Sequence, residues 1–150
     1  MRHATAPGIG DPPGFRLDDC ATQRLLSEAG RAQSRAIGEL LRARGIASAQ
    51  VLSSAWCRCI ETAERLGLGA VAMEPVLNSF FADRSVGAAQ SAALRALLRD
   101  WAEPRPLVLM THQVNITALT GIFPASGEVL LVYTGARAGT VALRVPPPAA

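Results

Sequence analysis

Leu107-Val108-Leu109-Met110-Thr111 is a continuous apolar run with no alternation of polar residues. A strand of that kind is buried on both faces, so helices must cover it. It leads directly into His112 and a short helical stretch, Val114 to Gly121. A second short buried strand, Gln50 to Ser53, leads into a helix over Ala55 to Leu66 that Gly67 closes. Strands alternating with helices confine the chain to an α/β architecture. The expected form is a three-layer sandwich with a mostly parallel sheet and helices on both faces.

The other elements fit that frame. Residues 5–20 hold Gly8, Gly10, Pro12, Pro13 and Gly14 and read as a loop ending in Asp18-Asp19. Leu25, Leu26, Ala29, Ala32, Ala36, Ile37, Leu40 and Leu41 recur at helical spacing. They predict a helix from Gln23 to Arg44, with Gly45 as its stop and Ser27 capping the better-formed part. Val71 to Met73 reads as a weak strand, Pro75 to Gly87 as irregular, and Ala89 to Trp101 as a helix. Glu128 to Thr134 and Thr140 to Val145 read as an antiparallel hairpin. At 150 residues the chain is one domain, expected over 1–145, with 146–150 as a disordered end after Pro146-Pro147-Pro148.

Hydrophobic residues make up 49% and charged residues 18%, the balance of a compact chain. No apolar run reaches the roughly 18 residues of a membrane span. All 15 basic residues are arginine. They are scattered and not interleaved with aromatics, so no nucleic-acid surface is expected. No signal segment precedes the first motif, which fits a cytoplasmic protein; a periplasmic one would need such a segment upstream. Cys20, Cys57 and Cys59 are an odd set, which argues against a pure disulfide framework. They read as small buried apolar groups, with a bridge from Cys20 to one of the pair open to an exported form.

The chain has two histidines, His3 and His112, and both stand at strand ends. In open α/β sheets ligands bind beyond the carboxyl ends of the strands. Arg2-His3, Ser53-Ser54 and Thr111-His112 all fall at such ends. Two histidines with Arg2 and Arg58 would make a cationic pocket suited to a phosphoryl group. Thr22, Gln23 and Asn115 are polar residues expected to line it. Trp56 and Phe80-Phe81 are expected to pack rather than to stack on substrate.

The motifs resemble those of the histidine phosphatase (phosphoglycerate mutase-like) superfamily. Arg2-His3-Ala4 is similar to its Arg-His-Gly signature. Leu26-Ser27-Glu28-Ala29-Gly30-Arg31-Ala32-Gln33 resembles its L-[ST]-x-x-G-x-x-Q helix, and Ser53-Ser54 through Arg58 to Thr62-Ala63 its S-S-x-x-x-R-x-x-x-T-A segment. Thr111-His112 resembles its late catalytic histidine. The strings around Cys20, Trp56-Cys57-Arg58-Cys59 and Thr111-His112-Gln113-Val114-Asn115-Ile116 are similar to a small bacterial branch that includes relatives of a lipopolysaccharide core heptose phosphatase.

The resemblance implies a metal-free, cofactor-free phosphatase that hydrolyses a phosphomonoester or phosphoramidate through a phosphohistidine intermediate on His3. A covalent intermediate splits one hard displacement into two easier ones. Phosphoryl transfer needs positioning and charge stabilisation, for which Arg2 and Arg58 supply forked donors. His112 holds the nonbridging oxygens from the other side or donates as an imidazolium. The expected partners are a phosphorylated small molecule such as a sugar phosphate, or a phosphohistidine protein.

Two departures from the family pattern shape further expectations. Relatives carry a glutamate general acid in an L-x-E context, whereas the comparable stretch here is Leu77-Asn78-Ser79. Asp83 is the nearest acid and the expected proton donor, with Asp18 or Asp19 as substitutes. A missing strong acid suits a good leaving group such as phosphohistidine. The family also places an apolar first strand before Arg2-His3, for which Met1 leaves no room. The chain as it stands is therefore expected to lack a central strand, to expose two unpaired edges, and to be weakly stable and weakly active. Two other readings compete: a non-catalytic phosphate-binding domain of the same fold, and a small Cys/His metal protein.

Overall fold

The structure is a computed structural model that describes residues 1–148. Strands β1 (Gln50–Ser53), β2 (Val71–Met73) and β3 (Leu107–Met110) form a parallel sheet in the order β2-β1-β3. Strands β4 (Val129–Val132) and β5 (Val141–Val145) form an antiparallel ladder with an irregularity between Leu131 and Val132. The helices are α1 (Glu28–Ala43), α2 (Cys57–Leu66), α3 (Gly87–Asp100) and α4 (Gln113–Thr120). α1 packs on α2, and α3 on α4. This is the expected α/β class with a mostly parallel sheet.

α1 starts later than periodicity predicts. Ser27 is its N-cap, with its hydroxyl accepting from Gly30 N at 3.0 Å. Residues before it stay extended because Leu26 buries against Ala4 and Ala6 in a small cluster of its own. α2 ends at Gly67, whose φ of +64° is the left-handed conformation that favours glycine. The main core gathers Ile37 and Leu41 of α1, Ala63 and Leu66 of α2, Val51 of β1 and Met110 of β3.

Residues 1–3 run beside the end of β3. Arg2 bridges Thr111 in parallel, and Thr111 N donates to Met1 O at 3.0 Å. On the other side Arg2 N donates to Glu128 O, and Gly127 N to His3 O. This short segment thus sits between β3 and the approach to β4. In line with it lies an apolar cavity of about 440 Å³, lined by Leu107 and Leu109 on one side and Val129 to Val132 on the other. Among the described residues β3 pairs only with β1, and β4 only with β5. The end expected to be disordered runs past the description: 149 and 150 lie outside the described residues, and 146–148 form no regular element.

Candidate active site

The segment carrying His3 is held on every side by backbone and side-chain hydrogen bonds. His3 N donates to Thr111 O at 3.0 Å, at the end of β3. Ala4 N donates to Thr62 Oγ1 at 3.1 Å, and Thr62 Oγ1 donates to Arg58 O, one turn back in α2. Thr5 N donates to Gln33 Oε1 at 3.1 Å, and Ser27 N to Thr5 O. Gly30 lies against Thr5 so closely that a Cβ there would stand 2.1 Å from Thr5 O. The threonine of one motif and the serine, glycine and glutamine of another therefore have a common purpose: they seat residues 4 and 5 and so aim His3.

The two imidazoles meet edge to face, with ring centroids 5.5 Å apart. His3 Nδ1 lies 2.8 Å from Ala4 O. A carbonyl only accepts, so Nδ1 carries the proton and Nε2 carries the free lone pair. His112 Nε2 lies 2.8 Å from Ser54 Oγ, which itself accepts from Trp56 N. The Trp56 ring packs edge-on against His112 at 5.1 Å. Trp56 is buried and belongs to the core, in keeping with a packing role.

Both rings are nearly inaccessible and both are held neutral. Burial is the main cause for His3, aided by Arg58, Arg2 and Arg24, and it takes the ring down to about 3 against the backbone bond to Ala4. His112 is pushed well below its ordinary range by burial, by His3 and by the same arginines. The unfolded chain therefore binds protons that the native state does not. The stability tied to His3 is complete above pH 6.5 and declines as pH falls from there toward about 3. The urea midpoint should accordingly be lower at pH 4.5 than at pH 7, and His3→Asn should flatten that slope. A midpoint that holds steady or rises on acidification would contradict the buried neutral rings.

The arginines converge on the same point. Arg2 and Arg58 each bear on both histidines and on one another. Their outer ends are fastened by the protein: Arg2 Nη1 donates to Pro124 O at 2.9 Å, and Arg58 Nη1 and Nη2 donate to the two oxygens of Asp11 at 2.6 and 3.1 Å. The Nε–H of each is buried without a partner among the described residues. Two orphaned guanidinium N–H groups and two neutral imidazoles within each other's electrostatic reach are groups of the kind that hold oxyanions.

Of the residues expected from sequence, the structure brings together His3, His112, Arg2 and Arg58. It does not bring Asp83 to them. Asp83 is exposed, caps a short 3-10 turn and accepts from Ser85 N and Oγ at 3.0 and 2.6 Å. Those bonds hold its carboxyl below the usual range, and it does not figure among the charges acting on either histidine. Asp18 and Asp19 pair with Arg16. Thr22 bonds within its own loop, and Gln23 ties that loop to α2 by accepting from Cys57 N at 3.0 Å. Asn115 reaches Asn78 O, leaving its Oδ1 buried and unpaired.

Asp11 and Arg24 complete the site and do not stand out in the sequence, while Ser54, one of the pair picked out at a strand end, bonds to His112. Arg24 is fastened to Gly10 O and Ala6 O and adds a third charge near the histidines. Of the cysteines, Cys20 and Cys57 are bridged, one of the pairings the sequence left open, and Cys59 is a free, buried thiol. The bridge removes two of the three thiols a metal reading needs, and no group of three candidate ligands exists among the described residues.

A family model for the histidine phosphatase superfamily (branch 1) matches residues 19–105. The chain belongs to that superfamily and is a phosphatase. No curated protein matches its sequence. Among solved structures it resembles the protein histidine phosphatase SixA complexed with tungstate. The two are 18% identical over 97% of this chain and 94% of that one, with a TM-score of 0.66. A protein of Agrobacterium tumefaciens assigned as phosphohistidine phosphatase SixA is 22% identical over 97% and 94%, with a TM-score of 0.65. A mycobacterial glucosyl-3-phosphoglycerate phosphatase complexed with VO3 is 23% identical over 78% and 76%, with a TM-score of 0.56. At these identities the likeness concerns the fold.

Proposed function

We propose that the chain removes a phosphoryl group from its substrate by transferring it to His3 Nε2 and then to water, without a metal. The observation that carries this reading is the pairing of a lone-pair Nε2 on a ring fixed by Ala4 O with the orphaned Nε–H edges of Arg2 and Arg58. In the first step Nε2 attacks phosphorus and the bond to the leaving group breaks. The arginines and His112 hold the equatorial oxygens. In the second step water displaces the phosphoryl group and the imidazole returns to its neutral form. The oxyanions bound by the SixA and mycobacterial structures, tungstate and VO3, support an oxyanion site in this fold.

The leaving group is narrowed by what surrounds the histidines. The carboxylate nearest the arginines, Asp11, is held ionised by them. Such a site suits a leaving group that departs with little protonation. Phosphohistidine on a protein is the preferred substrate class, and a sugar phosphate the second.

The test is a comparison of phosphohistidine peptides with sugar phosphates, run beside alkaline trapping of labelled enzyme. The expected result is faster turnover of the phosphoramidate and label on His3 that acid releases. Absence of acid-labile label during turnover would remove the covalent route. Faster hydrolysis of an unactivated sugar phosphate would reverse the substrate preference.

A further inference from the structure

Asp11 lies in the glycine- and proline-rich loop after His3, between Gly10 and Pro12, yet its carboxylate is almost wholly inaccessible, at 7% exposure. It makes four bonds toward the site. Arg58 donates to both of its oxygens, Trp56 Nε1 donates to Oδ2 at 3.0 Å, and Arg24 N donates to Oδ1 at 3.2 Å. Burial raises its carboxyl, but the Arg58 bonds outweigh this and leave it below the ordinary range.

A carboxylate inside a phosphate site is at first sight an obstacle, because it repels the incoming anion and covers the arginine meant to bind it. The geometry of the fork argues otherwise. A guanidinium has five N–H donors. Asp11 takes one from each terminal nitrogen, and Arg24 O takes another from Nη1 at 3.3 Å. The edge left over is Nε–H with the second hydrogen of Nη2. That Nε is the one buried without a partner.

We propose that Asp11 is a positioning residue. It holds the terminal nitrogens of Arg58, so that the Nε edge of the guanidinium is presented to the phosphoryl oxygens, and it stays in place when substrate binds. This inference rests on the reading of the site as a phosphoryl pocket and adds a residue to it.

The two roles for Asp11 predict opposite signs. If the carboxylate only competes for Arg58, Asp11→Asn removes a negative charge and vanadate binds more tightly. If it positions Arg58, Asp11→Asn weakens vanadate binding about 10- to 100-fold, the scale on which groups behind a ligand act elsewhere. The conservative variant Asp11→Glu, which keeps the charge but shifts it by a methylene, should also bind more weakly.

A double-mutant comparison separates positioning from a general loss of structure. In an Arg58→Ala background, Asp11→Asn should cause no further loss of vanadate affinity, because there is no guanidinium left to aim. Additive losses, an unchanged affinity in the single variant, or tighter binding would each overturn the proposal. Vanadate binding by the unaltered protein is the control: if it is absent, the phosphoryl pocket itself is refuted, and Asp11 falls with it.

Discussion

Replacing His3 by alanine is expected to abolish phosphoryl transfer while leaving the protein folded. Deleting a covalent nucleophile costs roughly 10³-fold or more in turnover. The ring is seated by its neighbours' backbone bonds, and among the described residues its own side chain makes one hydrogen bond, from Nδ1 to Ala4 O, besides its edge contact with His112. The fold is therefore expected to persist, with a melting temperature close to that of the unaltered protein. Steady-state turnover and a melt on the same preparation check both halves. Near-full turnover would show that water attacks phosphorus directly. A lost melt alongside lost turnover would mean that the ring holds the site together as well as acting in it.

The second large effect is on stability. Exchanging a glycine inside a helix for alanine ordinarily stabilises by about 0.8–1.0 kcal/mol. At Gly30 the opposite is expected. The added methyl would stand 2.1 Å from Thr5 O and 3.0 Å from Thr5 C, and both are backbone atoms that cannot swing away. Overpacking of this kind costs about 1–3 kcal/mol, and more where backbone must move. Since Thr5 lies two residues from His3, activity should fall further than stability alone accounts for. Denaturant midpoints for Gly30→Ala test this. A midpoint at or above that of the unaltered protein would show that the close approach does not exist in solution.

Local pattern was a good guide to the elements. The apolar run at 107–111, the strand at 50–53 and the hairpin after residue 128 all form near the expected bounds. Pattern failed at the start of α1, where Leu25 and Leu26 keep helical spacing while Leu26 turns instead to Ala4 and Ala6. That choice depends on a contact across 20 residues, which periodicity does not register. Arg2, His3 and His112 were legible because strand ends converge in such sheets, and Arg58, inside α2, through the resemblance of its segment to the family's S-S-x-x-x-R pattern. Asp11 was not, since a loop of glycines and prolines has no repeat from which a side chain's direction can be read. Asp83 was favoured by its nearness in sequence to the family's acid, but its carboxylate is taken up by Ser85. The Cys20–Cys57 pairing is equally invisible to spacing, because three thiols allow three pairings.

That bridge has a consequence for how faithfully the chain keeps its connectivity. Cys57 opens α2, beside Arg58, and Cys59 follows two residues later with a buried free thiol. A neighbouring thiol is ordinarily the agent of disulfide exchange, but only as the thiolate. Burial pushes Cys59 up to about 12, so at neutral pH it carries essentially no thiolate, and the charge of Arg58 only partly offsets this. The Cys59 Sγ also turns to Thr111 O and His112 Nε2, since residues two apart in a helix do not share a face, so it is neither aimed at the bridge nor ionised to attack it. Once formed, the 20–57 link is thereby shielded from exchange with the chain's own third thiol.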